Sequence, residues 1–177
     1  MKAINLLIVV TLLITICSCN TGTNSSTMSA SANTDSMKYF NEQIYKGFAT
    51  GDFSVFDRVS SPDVVDHSMG DGDKEVAGKD KVKASLQDMT SQIKDAKFDI
   101  ITEGADSNYT ITLVRMTGTS TSAKSGFPVG APIDMTMVDV LKWQDGKVTD
   151  HWGYMDPKDV MKMMPPATNA SDSSKHK

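Results

Sequence analysis

The segment Asp139-Val140-Leu141-Lys142-Trp143-Gln144-Asp145-Gly146-Lys147-Val148-Thr149-Asp150-His151-Trp152 decides how this chain folds. Two runs of period-two residues flank Gln144-Asp145-Gly146, a compact turn with glycine where a positive φ is expected. The segment reads as a β-hairpin with strands at 133–143 and 147–155. Side chains alternate between the faces of a strand, so Ile133, Met135, Met137, Asp139, Leu141 and Trp143 fall together. On the second strand Thr149, His151, Gly153 and Met155 fall together, with Trp152 and Tyr154 opposite.

Upstream, residues 97–103 and 109–118 alternate in the same way, with Gly104-Ala105-Asp106-Ser107-Asn108 as the turn between them. Before Ile93 the period is helical. Met37, Phe40, Ile44 and Phe48 share one face with Tyr45 beside it, Asp35 or Ser36 can cap the start, and Gly51 can end it. Phe53, Val55, Phe56 and Val59 predict a second, short helix before Ser61-Pro62, and Val64-Val65-Asp66-His67 a short strand. Val82, Leu86, Met89 and Ile93, spaced by four, three and four, predict a third helix. Met161, Met163 and Met164 read as the apolar side of a C-terminal helix. Helices first and antiparallel strands afterward predict an α+β domain in which a curved sheet wraps the helices.

The ends have a different character. Residues 1–18 place one lysine before a short apolar run, too short to span a bilayer and suited to a signal peptide. The run ends in Ile16-Cys17-Ser18-Cys19, which resembles a bacterial lipobox with the lipid on Cys19. Residues 19–35 are then the lipidated cysteine and a flexible polar linker, 36–164 the folded domain and 165–177 a disordered tail. The domain is expected outside the cytoplasm, anchored to the bacterial cell envelope, with the outer membrane as the expected home.

Composition narrows the partners. The 177 residues carry a net charge of −4 and only two arginines, Arg58 and Arg115, so no basic stripe is available for a nucleic-acid backbone. Both cysteines precede the domain, which excludes thiol catalysis, disulfides and Cys-based zinc sites within it. There is no phosphate-binding loop and no dinucleotide fingerprint, so no cofactor is expected. Asp71-Gly72-Asp73-Lys74-Glu75 suggests a calcium loop but has Val76 and Val82 where Gly and Glu are needed, and no metal site is predicted.

The order of these segments resembles the NTF2-like superfold and, within it, the SnoaL-like (polyketide-cyclase-like) branch, over roughly residues 37–164. The resemblance rests on Phe48-Ala49-Thr50-Gly51-Asp52 with Phe56, on Val64-Val65-Asp66-His67, on Gly78-Lys79-Asp80-Lys81-Val82, on Gly126-Phe127-Pro128-Val129-Gly130, and on the hairpin above with Asp156 after it. It implies a cone, with N-terminal helices packed on the concave side of a mostly antiparallel sheet and a cavity between them. It also implies that the Asp139 and His151 faces point into that cavity, and that the convex sheet face is a candidate homodimer surface. In SnoaL-like cyclases the acid/base aspartate resembles the position held here by Gly153, and the histidine on the preceding strand that held by Asp139, so cyclase chemistry itself is not implied.

Met135, Met137 and Met155 would line an apolar cavity whose methionines adapt to varied ligand shapes. His151 is the candidate for proton transfer, with Asp139 as the carboxylate that holds its tautomer. Asp66, His67, Arg115 and Asp156 are further candidate pocket residues, with Arg115 a candidate partner for an anionic ligand group. The leading functional expectation is a module that binds a small, largely apolar molecule. An acid/base isomerase, dehydratase or cyclase acting on a carbonyl substrate stands beside it, and a protein-interaction scaffold comes third.

Overall fold

The structure, a computed structural model, describes residues 24–68 and 74–163, with side chains from residue 33 onward. The signal run, Cys19 and the 165–177 tail lie outside the described residues.

Helix α1 (Asn24–Thr50) lies under the sheet and buries Met37, Asn41, Ile44 and Tyr45. It begins well before Asp35 and Ser36, the caps expected from sequence, because no glycine or proline interrupts the chain between Gly22 and Gly47. It ends as predicted at Gly51, whose φ of 78° lets its amide reach the Gly47 carbonyl at 2.7 Å. Helix α2 (Ser54–Val59) buries Phe56 and Val59 and leads into strand β1 (Ser60–Asp66). Strand β2 (Val76–Ala77) is too short to leave a period in the sequence. Helix α3 (Lys79–Ser91) buries Val82 and Leu86, the predicted face.

Four long strands follow: β3 (Ile93–Ala105), β4 (Tyr109–Ser120), β5 (Pro132–Gln144) and β6 (Lys147–Met155). Helix α4 (Pro157–Met163) closes the described chain. The sheet order is β2-β1-β6-β5-β4-β3, antiparallel except where β1 runs parallel to β6. The β5–β6 turn places positive φ at both Asp145 (51°) and Gly146 (73°), the backbone that a two-residue hairpin loop needs to match strand twist.

One detail departs from simple alternation. Lys142 pairs with Asp150 but Trp143 pairs with Val148, so Thr149 is the extra residue of a bulge. The bulge shifts the phase of β6: Val148, not Thr149, points inward and is buried against Trp143. Thr149 instead donates to the Asp150 carboxylate at 2.8 Å.

Two apolar clusters frame the interior. One gathers Met37, Ile44, Phe53, Phe56, Val59, Val64, Val82, Leu86, Trp143 and Val148. The other gathers Ile93, Met116, Phe127, Ile133 and Met135. Each such side chain contributes about 1.5–3 kcal/mol when fully buried. The clusters hold the helices against the concave face and leave a hollow between them.

Candidate functional site

The hollow has a volume of about 720 Å³ and is lined mostly by apolar side chains from α1, α3, β4, β5 and β6. Met135, Met137 and Met155 line it, together with Met89, Met116 and Met163. Met155 and Tyr154 stand at the exposed rim, so Tyr154 borders the cavity although its strand face is the outer one.

The polar wall is built at the parallel seam of the sheet. Strands β1 and β6 each carry the dipeptide Asp-His, as Asp66-His67 and Asp150-His151. The parallel register sets Asp66 beside His151. Successive side chains alternate faces, so two crossed Asp–His contacts result, one inside and one outside. Inside, His151 Nδ1 lies 2.7 Å from Asp66 Oδ2, and Asp66 is fully buried. The other oxygen of Asp66 accepts the Ser68 amide at 2.8 Å and the Ser68 hydroxyl at 2.7 Å. His151 Nε2 faces Asp139 Oδ1 at 3.5 Å, and Asp139 Oδ2 accepts the Tyr45 hydroxyl at 2.6 Å. The chain Ser68–Asp66–His151–Asp139–Tyr45 thus crosses the cavity wall from β1 to α1.

Asp139 occupies this place because it pairs directly with Gly153. A Cβ at 153 would stand 3.4 Å from Asp139 Oδ1 and 3.2 Å from Ser68 Oγ, so the absent side chain leaves room for both groups.

Electrostatics follow from this packing. Burial, the largest single influence on His151, disfavours its charged form. Hydrogen bonds to Asp139 and Asp66, with their charges, outweigh it and push the imidazolium pKa up to about 9. Burial likewise opposes charge on Asp66, but its bonds to His151 and Ser68 bring its pKa below the usual carboxylate range. The Tyr45 hydroxyl is pushed up by burial and by the Asp139 charge beside it, so it stays a proton donor. Behind Tyr45, Asn41 donates to Glu103 and, at 2.7 Å, to the Thr112 hydroxyl.

The predicted site residues therefore separate. Asp66, Asp139, His151, Met135, Met137 and Met155 come together at the cavity. Asp66, rather than Asp139, makes the short contact that orients the imidazole. Three predicted pocket residues lie elsewhere. His67 follows inward-facing Asp66 and so points out; its ring stacks on Trp152 at 4.5 Å and meets Glu75 at 2.6 Å and Asp150 at 3.1 Å. Desolvation acts against its charge, but these two carboxylates raise its pKa. Arg115 occupies an outward position of β4 and grips Asp134 with two bonds of 2.7 and 2.6 Å. Asp156 accepts the Lys158 amide at 2.9 Å and caps α4, where a carboxylate complements the helix terminus.

Tyr45, Asn41 and Ser68 are polar cavity residues that sequence reading missed. Tyr45 stands beside the predicted apolar face, but its partner lies 94 positions away and only the folded chain joins them. Among the described residues, no group of three or more His, Cys, Asp or Glu is arranged to hold a metal ion, and no helix is long and apolar enough to cross a membrane.

Comparison with known proteins agrees with this architecture. The family model for the SnoaL-like polyketide cyclases matches residues 39–163. A crystal structure from Jannaschia sp. CCS1, assigned to the SnoaL-like polyketide cyclases, superposes with a TM-score of 0.65 at 15% identity, covering 76% of this chain and 96% of its own. TsrD from Streptomyces laurentii gives 0.63 at 16% identity, covering 73% and 94%. An LEH-like epoxide hydrolase from M. tuberculosis gives 0.58 at 19% identity, covering 73% and 90%. No curated protein matches. At these identities the structural likeness speaks to the fold: helices on a curved, mostly antiparallel sheet, as in NTF2-like proteins. With its helices, sheet order and inward Asp–His wall accounted for, the chain belongs to the family of SnoaL-like polyketide cyclase domains.

Proposed function

We propose that this domain takes up a small, largely apolar molecule in the cone and holds a polar group of it against Asp139, His151 and Tyr45. The observation that carries this reading is the hollow itself: about 720 Å³, apolar over most of its lining, with polar groups converging on one wall. Recovery of the protein from its native membrane, followed by native mass spectrometry, tests it. The expected result is a discrete added mass that hydrophobic probes displace. A reproducibly empty cavity that takes up no probe contradicts the reading.

The Tyr45–Asp139–His151–Asp66 chain favours a second reading, in which the bound molecule undergoes proton transfer. Asp139 takes a proton from a carbon beside a carbonyl while the His151 imidazolium gives one to the developing oxyanion, and the enol formed then returns or expels a group. Acid–base help of this kind contributes ~10²–10⁴-fold. His151→Ala is then expected to remove most turnover, and unchanged turnover excludes the role.

The family's activity enters only as analogy, because fold alone does not assign a reaction. Envelope anchoring through a lipid on Cys19 rests on the lipobox-like Ile16-Cys17-Ser18-Cys19, and metabolic labelling with a palmitate analogue that survives Cys19→Ala contradicts it. The convex face supports self-association: Ile111, Val140 and Trp152 line up across three strands, as do Leu113, Val138 and Tyr154. Sedimentation of the wild type as a monomer at high concentration would remove that proposal.

A further inference from the structure

The charged groups of the cone carry an inference about what it accepts. Among the described residues, those lining the cavity are Asp66, Asp88, Asp139, His151 and Lys124. Asp88 and Lys124 are exposed and of opposite sign, so together they add no net charge to the lining. On the inner wall two carboxylates, Asp66 and Asp139, face one imidazole at 2.7 and 3.5 Å. The wall is net negative whether or not that imidazole carries a proton. Glu103, bonded to Asn41 just behind it, adds a further negative charge. Neither arginine is available to compensate: Arg115 is clasped by Asp134 on the outer face, and the Arg58 guanidinium lies 5.1 Å from the Phe40 ring centre, off the cavity.

A carboxylate that enters such a wall meets more negative than positive charge, since the one cation there, His151, is flanked by two carboxylates. His151 Nδ1 is committed to Asp66 and the Tyr45 hydroxyl to Asp139, which leaves Nε2, 3.5 Å from Asp139, as the donor a ligand oxygen can reach. The newcomer loses its water and meets like charge, both unfavourable. A ketone, ester or hydroxyl pays no such repulsion, and an ammonium is attracted.

We propose that the cone discriminates by charge, admitting neutral oxygen-bearing or cationic apolar molecules and rejecting free carboxylates. This rests on the reading of the cone as a ligand site. Three probes of one shape separate the two ideas: methyl pyrenecarboxylate, free pyrenecarboxylate and pyrenylmethylammonium, titrated by fluorescence against the intact domain at neutral pH. The expected order is ammonium at least as tight as ester, and carboxylate weaker than ester by on the order of 10²-fold, the size of an uncompensated like-charge contact at protein-like dielectric. Asp139→Asn, which removes one negative charge in nearly the same volume, is expected to narrow the ester–carboxylate gap by about tenfold. Carboxylate binding equal to or tighter than the ester overturns the charge proposal and leaves the ligand-site reading standing. Binding of none of the three overturns both.

Discussion

Asp66 and His151 meet across the parallel pairing of β1 with β6, carboxylate oxygen to ring nitrogen at 2.7 Å, with Asp66 wholly shielded from solvent. This contact joins the strand that follows the short helix α2 to the hairpin that defines the fold, and it turns the imidazole toward Asp139 and the cavity. Removing one member of such a buried pair leaves the other charged and unaccompanied.

His151→Ala is therefore expected to destabilise the domain by about 3–5 kcal/mol, well beyond the loss of packing at an exposed site. Urea denaturation of the two proteins measures it, through the shift in midpoint at constant slope. Asp66→Asn, which retains shape and can still accept a bond, is expected to cost less.

The same pair predicts how stability depends on pH. The His151 pKa is about 9 in the folded domain, above the value of about 6.5 expected when unfolded. Its contribution is thus complete below about pH 6.5 and is lost as the pH rises through about 9, with a limit of about 3 kcal/mol. Asp66 acts in the opposite sense: its pKa is depressed, so its contribution is present above about pH 4 and is lost as the pH falls. Melting temperatures are expected to be highest between these limits and to fall on the alkaline side, and the alkaline fall is expected to flatten in His151→Gln.

Tyr45→Phe removes the hydroxyl that donates to Asp139 at 2.6 Å while keeping the ring packed against Phe48 and Phe98. A lost bond to a charged acceptor costs about 1.5–3 kcal/mol. The expected result is a modest fall in stability together with weaker binding of a neutral pyrene ester. Arg115→Ala, on the outer face, is expected to leave that binding unchanged.

Gly47 tests the fold away from the site. It stands within α1, where alanine normally gains about 1 kcal/mol over glycine. Here a Cβ would collide with the Asp52 backbone carbonyl, which the turn after α1 brings across the helix. Gly47→Ala is expected to lose about 1–2 kcal/mol net, because overpacking against backbone exceeds the propensity gain. Thermal denaturation gives the sign directly.

Much of this architecture was legible from the residues. The hairpin at Asp145-Gly146 and the helical face of Met37 and Ile44 follow from local period and turn chemistry, and alternation groups Met135, Met137 and Asp139 on one strand face, but only the family resemblance turns that face and His151 inward. What local pattern could not supply was register between distant strands. The parallel seam decides that Asp66 points in and His67 points out, and no residue near either of them encodes it. The Thr149 bulge inverts a face for a reason visible only in the pairing of β5 with β6. The resemblance points Asp156 to the pocket and a mid-strand arginine suggests the same for Arg115, whereas a helix terminus and a neighbouring Asp134 claim them.

The proposed uptake of a ligand depends on an inward imidazole, held between Asp66 and Asp139 at the wall of the cone. Nitrogen-15 NMR of the His151 ring across pH, with and without a neutral pyrene ester, tests it most directly. Both ring nitrogens are expected to remain protonated at neutral pH, to titrate near pH 9, and to show a shift of the Nε2 resonance when the ester binds. A ring that titrates near its solution value of about 6.5 and ignores the ester would contradict it.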